Sequence, residues 1–389
     1  MATIGSGRAG KGHTGESNGG SGRSLGDVDR ARLIAIAEAA ERYSASAPCD
    51  GYRWSLADEL DGEVMDLNSI PRCSAQEYAH PKCSIVPFDE TALIRWLPGE
   101  EVVSGSPIWI PAVMANYALD DCVPAEKFSY RISTGHAVHF DRDEALVGGI
   151  LEVVERDAVA ITWLQQLPLP GLSDEITSDG LAYLVDAAQR HFIEPLLFDA
   201  TTDLGVPTVY CRLRMPHDHH CHQVVGCATE RTLAAAAEKA LAECLSILTI
   251  LRAGTGPSSV DQISTIMDGS RYMASADRAQ AFSFLDDGYA RGTGPTRHGL
   301  PAGSREALAE LRSIFRERQM EVIAVDRTTR ELAEVGLTSV SVVIPRLQPM
   351  SLLPHAQFKG HPRLYEAPRL MGHRVLAEGD LNPWPQPFA

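Results

Sequence analysis

The chain has 389 residues, of which 44% are hydrophobic and 22% are charged, so it can build the core of a globular protein. Its formal net charge of −16 at pH 7 argues against nucleic acid or an anionic membrane as the main partner, because phosphate-rich surfaces attract net positive proteins. No apolar run approaches the roughly 20 residues that span a bilayer, and the first residues lack the apolar stretch of a secretory signal. The eight cysteines form no compact framework. Together these features predict a cytoplasmic protein with reduced cysteines.

The first half of the chain predicts an arm followed by helices and strands. Residues 1–23 are rich in Gly and Ser and predict a flexible arm. Residues 24–389 contain no clear linker and predict one domain. Ser24-x-x-Asp27 resembles a capping box that starts a first helix over ARLIAIAEAA. The stretches TALIRWLPG and VVSGSPIWIPAVMA predict strands broken by turns.

The second half alternates helices with strands. A second helix is predicted from Asp141 to about Ala160, and Asp141-x-x-Glu144 caps it. GVPTVYCRLRM predicts a strand, and LAAAAEKALAECLSILTIL predicts a long helix. Near the end of the chain, EVIAVDRTT predicts a strand, a helix follows it, and GLTSVSVVIP predicts another strand. This order predicts mixed α/β layering.

The two predicted helices near residues 38 and 152 share one five-residue pattern, E-x-x-E-R. Residues i and i+3 lie on one helix face, so Glu38 and Glu41 form one carboxylate pair, and Glu152 and Glu155 form another. At about 100° per residue, Glu144 lies on the same face as the second pair. Apolar neighbours around both pairs predict that the carboxylates are partly buried. Such acids need cationic partners, and two or more Mg²⁺ ions that hold a triphosphate would supply them.

Each copy of the pattern also has an ordinary interpretation. E-x-x-E-R is common on solvated helices, where its charges contribute little. Glu144 alone fits the acidic member of a capping box. The repetition in two equally apolar helices favours a site over coincidence.

Several stretches together resemble the YcaO family, in particular its azoline-forming cyclodehydratases. SLGDVDRARLIAIAEAAERYSA is similar to the family's first Glu-x-x-Glu-Arg helix. STGHAVHFDRDEALVGGILEVVERDAVAITW is similar to its second. FDATTDLGVPTVYCRL and VVGCATERTLAAAAEKALAECLSI resemble the elements up to its third helix. LNPWPQPFA resembles its proline-rich carboxyl end, so the likeness runs from about residue 24 to the end of the chain.

The resemblance implies a YcaO-like fold, with mixed sheets and helices around a central site for ATP and Mg²⁺. It implies that the metal ions are bound by the four glutamates of the repeated pattern, which are Glu38, Glu41, Glu152 and Glu155. It implies that four further residues contact the nucleotide: Glu144 at the start of the second helix, the pattern's arginines Arg42 and Arg156, and Glu243 on the third helix. In the family the proline-rich end is thought to reach the active site, so Pro383, Pro385 and Pro387 are candidate catalytic residues.

The reaction implied by the resemblance is activation of a backbone amide in a ribosomally made precursor peptide. A Cys, Ser or Thr of that peptide attacks the preceding carbonyl, ATP phosphorylates the oxyanion, and a thiazoline or oxazoline forms with ADP and phosphate. Thioamide formation and macrolactamidine closure use the same activation and stay open, as does a nucleotide-binding scaffold without catalysis. A separate protein that binds the leader peptide is the expected partner, and a homodimer is a further option.

The sequence departs from the family pattern at several positions. Ile34 stands where a Ser is usual, Phe140 stands where an Asn-like residue is frequent, and the third helix has Glu243-x-x-Ser246 rather than Glu-x-x-Gln. Only the Gly-rich arm precedes the first helix, where the family has a segment with nucleotide contacts. These departures motivate the scaffold alternative.

Histidines offer two further candidate sites. The stretch PHDHHCH at residues 216–222 contains zinc-ligand types, but its spacing fits no standard zinc site, and a solvated hairpin tip is favoured. His136 and His139 follow the Ser133-Thr134-Gly135 turn. They could contact nucleotide or substrate or act as a base with a pKa near neutral, but a polar lining without a chemical role is the favoured interpretation.

Overall fold

The computed structural model describes residues 2–3, 19–49, 51–173, 175–263, 265–289 and 299–388. Its strands are β1 Ala2–Thr3, β2 Gly19–Gly20, β3 Arg53–Ser55, β4 Ile94–Glu101, β5 Ser106–Pro111, β6 His136–His139, β7 Glu194–Asp199, β8 Thr208–Arg214, β9 Gln223–Thr229, β10 Ile323–Asp326 and β11 Thr338–Val343. Its α-helices are α1 Val28–Ser46, α2 Ala75–Ala79, α3 Ala112–Ala115, α4 Arg142–Leu164, α5 Asp179–Arg190, α6 Leu233–Arg252, α7 Ile266–Ala274, α8 Ser283–Tyr289, α9 Ser304–Glu317, α10 Arg330–Glu334 and α11 Arg363–Leu370.

The chain forms two compact units. The first comprises Met1–Arg72, Ser84–Val153 and Pro301–Leu347, and the second comprises Cys73–Cys83, Val154–Leu300 and Gln348–Ala389. Helix α4 is continuous through residues 153 and 154, so its first half belongs to one unit and its second half to the other. The single domain expected for residues 24–389 stays a prediction.

The first unit is built on a six-stranded sheet. Its strands run in the order β3-β4-β10-β11-β6, β5 pairs with β4, and every pair is antiparallel. Apolar side chains of β4, β5 and β10 form its core with the residues around them, among them Trp96, Leu97, Ile110 and Phe128. Helix α1 lies on β6 and β11. It approaches them closely because its buried positions are small residues, which are Ala35, Ala39, Ala40, Ser44 and Ala45.

The second unit is built on a three-stranded antiparallel meander, β7-β8-β9. Helix α6 packs across β8 and β9, and α5 packs beside it. The Ala- and Leu-rich face of α6 buries Ala236, Ala240, Leu241 and Ile247 against alternating side chains of the strands. Since strand residues alternate between the two faces, the other face of β8 carries Tyr210 and Arg212.

The predicted elements agree with the structure, with differences at their ends. The mixed α/β class is confirmed, and both E-x-x-E-R stretches are helical. The cap of α1 was predicted wrongly, because Asp27 and not Ser24 is the N-cap residue and accepts a hydrogen bond from the Arg30 amide. Helix α4 continues to Leu164, and residues 112–115, expected in a strand, form the short α3. None of the described helices is both long and apolar enough to cross a bilayer.

Most of the segment expected to be a flexible arm, residues 4–18, lies outside the described residues. At its end Gly19–Gly20 pairs with Ala2–Thr3, and this pair contacts α1. A Cβ atom on Gly20 would lie 2.1 Å from the carbonyl oxygen of Ala35, so only glycine allows this close contact.

Candidate functional site

The first carboxylate pair lies on α1, in the first unit. The Glu38 carboxylate accepts hydrogen bonds from the Ser21 amide at 2.7 Å and the Ser21 hydroxyl at 3.1 Å. It also pairs with Arg42, one helical turn later, at 2.9 Å. The Glu38 side chain is 29% exposed, and Glu41 is half-buried. The predicted partial burial is therefore confirmed here, and Arg42 contacts Glu38 in this structure.

The Ser133-Thr134-Gly135 turn is fixed against α4 by Glu152. The Glu152 carboxylate accepts a hydrogen bond from the Gly135 amide at 3.0 Å. Gly135 has φ +83°, and a Cβ atom there would lie 2.0 Å from the Val342 carbonyl oxygen, so glycine is required. Glu152 and this turn lie far from Glu38 in the sequence. They nevertheless belong to the same compact unit as Glu38.

Asp141, one of the two residues of the predicted capping box, caps the start of α4. The Asp141 carboxylate accepts hydrogen bonds from the Asp143 and Glu144 amides, which lower its pKa together with the Ser304 hydroxyl. Glu144 is half-buried on the helix face that also carries Glu152. Two of the departures from the family pattern are solvent-exposed side chains, Phe140 at 68% and Ile34 at 39%.

The second unit holds the deepest of the predicted glutamates. Glu155 is 7% exposed and accepts a hydrogen bond from the Thr229 amide at 3.0 Å, while Arg156 lies 3.5 Å from its carboxylate. Burial raises the pKa of Glu155, and the nearby charge of Glu243 raises it further, against the opposing effects of Arg156 and Lys239. The structure therefore brings Glu155, Arg156 and Glu243 together, from α4 and α6.

Two residues of this cluster were missed by the sequence analysis. Lys239, one turn before Glu243 on α6, pairs with Glu230 at 2.7 Å. Partial desolvation opposes its charge, but Glu230, Glu155 and Glu243 together raise the pKa of Lys239. The i, i+4 spacing of Lys239 and Glu243 could have indicated from the sequence that Lys239 lies on the same helix face as Glu243. Glu230 gave none, because its place at the end of β9 emerges only from the sheet.

A buried ion pair anchors α4 immediately after this cluster. Asp157, fully buried, accepts hydrogen bonds from Arg363 at 2.8 to 3.2 Å and from the Gln348 amide at 2.8 Å. Arg363 also pairs with Asp203 at 2.7 Å. Burial raises the pKa of Asp157 and the guanidinium opposes this shift. The pair sets the position of the helix turn that carries Glu155 and Arg156.

The proline-rich tail packs within the second unit. The Trp163 indole donates a hydrogen bond to the Trp384 carbonyl at 3.1 Å, and the Asn382 amide donates to the Leu164 carbonyl at 2.9 Å. Pro385 and Pro387 are buried, whereas Pro383 is exposed. The tail is thereby docked against the end of α4. A catalytic role for the three prolines stays a prediction.

The two histidines beside the glycine turn differ in their surroundings. His136 is 3% exposed, and burial, with a smaller effect of Arg327, lowers its pKa to about 4. It is therefore neutral at physiological pH and serves as a polar core residue. The exposed His139 accepts a hydrogen bond from the Asp141 amide through its ring Nδ1 at 2.9 Å.

The histidine-rich stretch lies at the tip of the β8–β9 hairpin, as predicted. The Asp218 carboxylate organises this turn by accepting hydrogen bonds from the His220 and Cys221 amides. His217, His219 and His220 are exposed to solvent.

The glutamates fit Mg²⁺ by their chemistry. They are hard oxygen donors, and the charge of Glu243 raises the pKa of Glu155, an effect that a divalent cation would offset. Within the described ranges no three acidic, histidine or cysteine side chains already converge on one metal position. Mg²⁺ does not require such a cage, because it takes one or two protein carboxylates and fills its octahedron with phosphate oxygens and water.

Known proteins resemble the chain over most of its length. Residues 21–348 match the family model described as YcaO cyclodehydratase, ATP- and Mg²⁺-binding. A heterocyclase solved in complex with substrate and cofactor superposes with a TM-score of 0.81 at 20% identity, over 96% of this chain and 50% of that one. The Escherichia coli microcin synthetase McbBCD complex with pro-MccB17 bound gives 0.65 at 15% identity, over 95% of this chain and 90% of that one.

A curated relative comes from Rhizobium leguminosarum bv. trifolii, an uncharacterised protein in the tfuA 3′ region. It is 28% identical over 192 residues, which are 46% of this chain and 42% of the relative. The chain thus spans about half the length of the heterocyclase and less than half of the curated relative. At 20% identity or below, the structural matches establish the fold. The expected YcaO-like fold is confirmed.

Proposed function

Since the chain belongs to the YcaO family, whose members are described as binding ATP and Mg²⁺, we propose that it activates a backbone amide of a precursor peptide by phosphorylation. The reaction we favour is azoline formation at a Cys, Ser or Thr of a ribosomally made peptide. The side-chain sulfur or oxygen loses its proton and attacks the preceding carbonyl carbon, and the resulting oxyanion then takes the γ-phosphoryl group of ATP. Loss of phosphate and of the amide proton leaves the azoline C=N bond, with ADP as the other product.

One observation carries this proposal. Four glutamates stand at the same i, i+3 spacing on α1 and α4 of a chain that matches the YcaO model over residues 21–348. Bound Mg²⁺ would neutralise the triphosphate and orient its γ-phosphoryl group. Glu38, Glu41, Glu152 and Glu155 would hold the metal ions through carboxylate oxygens.

The basic and polar neighbours would handle the nucleotide. The ammonium of Lys239, which pairs with Glu230 and whose charge Glu155 and Glu243 also favour, would bind a phosphate oxygen. Arg156, beside Glu155, would do the same, and Glu144 would face the nucleotide from the start of α4. Such a site works mainly by positioning and by charge stabilisation, since the attacking group belongs to the peptide.

The test is production of ADP in the presence of ATP, Mg²⁺ and precursor peptide, followed by mass spectrometry of the peptide. If azolines form, ADP should appear only when the peptide is present, and the peptide should lose the mass of one water for each modified residue. Macrolactamidine closure also loses water but consumes a free amine. Thioamide formation instead exchanges oxygen for sulfur and requires a sulfur donor.

A second candidate function is a nucleotide-binding scaffold without catalysis. Ile34 and Phe140 favour it, because an apolar side chain stands at each position where the family has a polar one. Mg²⁺-dependent ATP binding without peptide-dependent ADP formation would select this candidate.

The proposal includes a separate protein that presents the leader peptide. This part of the proposal is supported by the microcin synthetase McbBCD, which is a complex of several proteins. The match to this chain covers 90% of the similar chain in that complex. Affinity capture with the leader peptide alone is the test. Tight binding of the leader by this chain without any partner would contradict the proposal.

A further inference from the structure

Two cysteines bound a short segment of the second unit. The chain enters that unit at Cys73 and returns to the first unit after Cys83. Between them lies α2, which begins at a capping box formed by Ser74 and Glu77. The Glu77 carboxylate also accepts a hydrogen bond from the Lys359 amide at 2.8 Å. These contacts fix the fold of the segment within the second unit.

The thiols at the two ends of this segment lie close together. The Cys73 side chain is within hydrogen-bonding distance of the Cys83 side chain. The Tyr78 hydroxyl accepts a hydrogen bond from the Cys73 amide at 3.1 Å, and the Cys83 amide donates to the His80 carbonyl at 2.9 Å in the turn after α2. Burial raises the pKa of Tyr78 to about 12, and both thiols contribute to this shift because they lie near the phenol.

The two thiols differ in their access to solvent. Cys73 is 3% exposed, whereas Cys83 is half-buried. Burial, with a smaller effect of the Glu77 charge, raises the pKa of the Cys73 thiol, so Cys73 stays protonated. A small oxidant in solution therefore reaches Cys83 first, and the neutral thiol of Cys73 lies beside it. An accessible cysteine next to a second thiol is the arrangement from which disulfides form after oxidation.

A second pair of cysteines provides a contrast within the same unit. The side chains of Cys211 on β8 and Cys244 on α6 also lie within hydrogen-bonding distance of each other. Both are 0% exposed in the core of the second unit. An oxidant in solution cannot reach these two sulfurs in the folded chain. Exposure of one partner therefore distinguishes the Cys73–Cys83 pair from the Cys211–Cys244 pair.

We propose that Cys73 and Cys83 form a reversible disulfide when the chain meets hydrogen peroxide, and that this bond cross-links the two ends of the segment. The Cys83 thiolate attacks one peroxide oxygen, the O–O bond breaks, and the hydroxide that leaves takes up a proton to become water. Cys83 is then a sulfenic acid. The Cys73 sulfur attacks the Cys83 sulfur, the S–O bond breaks, and hydroxide leaves as water with the Cys73 proton. Two thiols are thus oxidised, and one peroxide is reduced to water.

Thiol counting on the full chain tests the disulfide. The chain is treated with hydrogen peroxide, denatured, alkylated with iodoacetamide, and digested with trypsin for mass spectrometry without reduction. Because trypsin cleaves after Lys82, Cys73 and Cys83 fall in different peptides. We expect all but two of the eight cysteines to be alkylated, one peptide pair joined through Cys73 and Cys83, and full reversal by dithiothreitol. Eight alkylated cysteines, a bond between Cys211 and Cys244, or oxidation of Cys83 alone would each overturn the proposal.

Variants assign the two steps to the two sulfurs. In Cys83→Ser, Cys73 should remain open to alkylation after peroxide treatment. In Cys73→Ser, the sulfenic acid of Cys83 should persist and react with dimedone. Cys122→Ser removes another half-buried thiol and is the matched control, which should form the disulfide like the unaltered chain. Loss of Cys73 by oxidation in Cys83→Ser would contradict the proposed order.

Hydrogen exchange measures the effect of the cross-link on the segment. In the oxidised, unaltered chain, amide exchange across α2 should slow by about tenfold or more, because the bond restricts the opened segment. Dithiothreitol should restore the original rate. Exchange that does not change on oxidation would refute the cross-linking role. Neither ATP nor peptide takes part, so these outcomes do not depend on the proposed reaction.

Discussion

Glu38, the first glutamate of one E-x-x-E-R copy, and Glu155, the second glutamate of the other, stand in different surroundings. Glu38 is 29% exposed and is surrounded by neutral and basic donors, the Ser21 backbone and hydroxyl and the Arg42 guanidinium. Glu155 is 7% exposed and has another carboxylate, Glu243, close enough to raise its pKa. Two glutamates of the same helix pattern thus differ, because polar and basic donors contact Glu38, whereas the charged form of Glu155 would gain from an added cation. The difference arises from the elements packed on each helix.

The largest expected effect comes from neutralising single glutamates. Glu38→Gln, Glu152→Gln and Glu155→Gln should each reduce peptide-dependent ADP formation by about 100-fold or more, because each removes the charge of a proposed metal ligand. Glu334→Gln, at an exposed pair with Arg330, is the control that should retain full activity. If only one copy of the pattern matters, the idea that both copies act on one triphosphate is wrong.

The variants Glu38→Gln and Glu155→Gln also test the contrast between the two glutamates when the free energy of unfolding is measured without Mg²⁺. Because burial and Glu243 raise the pKa of Glu155, Glu155→Gln should increase the free energy of urea unfolding in EDTA. Glu38→Gln should not increase the free energy of unfolding, since this change removes the ion pair with Arg42. A decrease for Glu155→Gln would contradict the contrast drawn between the two sites.

The next largest effect concerns the anchor of α4 in the second unit. Arg363→Met leaves Asp157 buried without its main cation and should cost about 3–5 kcal/mol of unfolding free energy. The control Arg346→Met removes an exposed pair with Asp66 and should cost less than about 1 kcal/mol. Chemical denaturation measures both, and similar losses in the two variants would refute the structural role assigned to Arg363.

His136 predicts a pH dependence for the first unit. Its folded pKa of about 4 lies below the unfolded value of 6.5, so the unfolded state binds the proton more readily. The stability from keeping His136 neutral is present above pH 6.5 and is lost as the pH falls towards 4, by at most about 3 kcal/mol. His136→Gln should flatten the stability profile in this window, whereas His139→Gln, at the exposed histidine, should leave it unchanged.

The smallest effect is expected at Lys239. Lys239→Met should raise the KM for ATP by about tenfold through loss of the charged phosphate contact proposed for this residue, while Lys239→Arg should restore most of the affinity. A drop in kcat with unchanged KM would instead assign Lys239 to the chemical step.

Much of the candidate site was predictable because its signals are local. The periodicity of apolar residues and the i, i+3 spacing of Glu38 and Glu41, and of Glu152 and Glu155, depend only on helix geometry. The Asp141 cap and the glycine turn before α4 are similarly short-range. The cap of α1 was assigned to Ser24 because Ser and Asp are both good capping residues, and only the backbone angles distinguish them.

The sequence by itself determined which helices carry the acidic pairs, which fold class results and which family the chain resembles. Tertiary structure alone decided that Glu155 is buried while Glu38 is half-exposed, that Lys239 and Glu230 join Glu243, and that Asp157 meets Arg363. It also brought the thiols of Cys73 and Cys83 within hydrogen-bonding distance of each other. Asp157 and Arg363 stand 206 residues apart, and no local pattern encodes a contact over that separation. Burial and pairing depend on which elements pack together, and so emerge only in the folded chain.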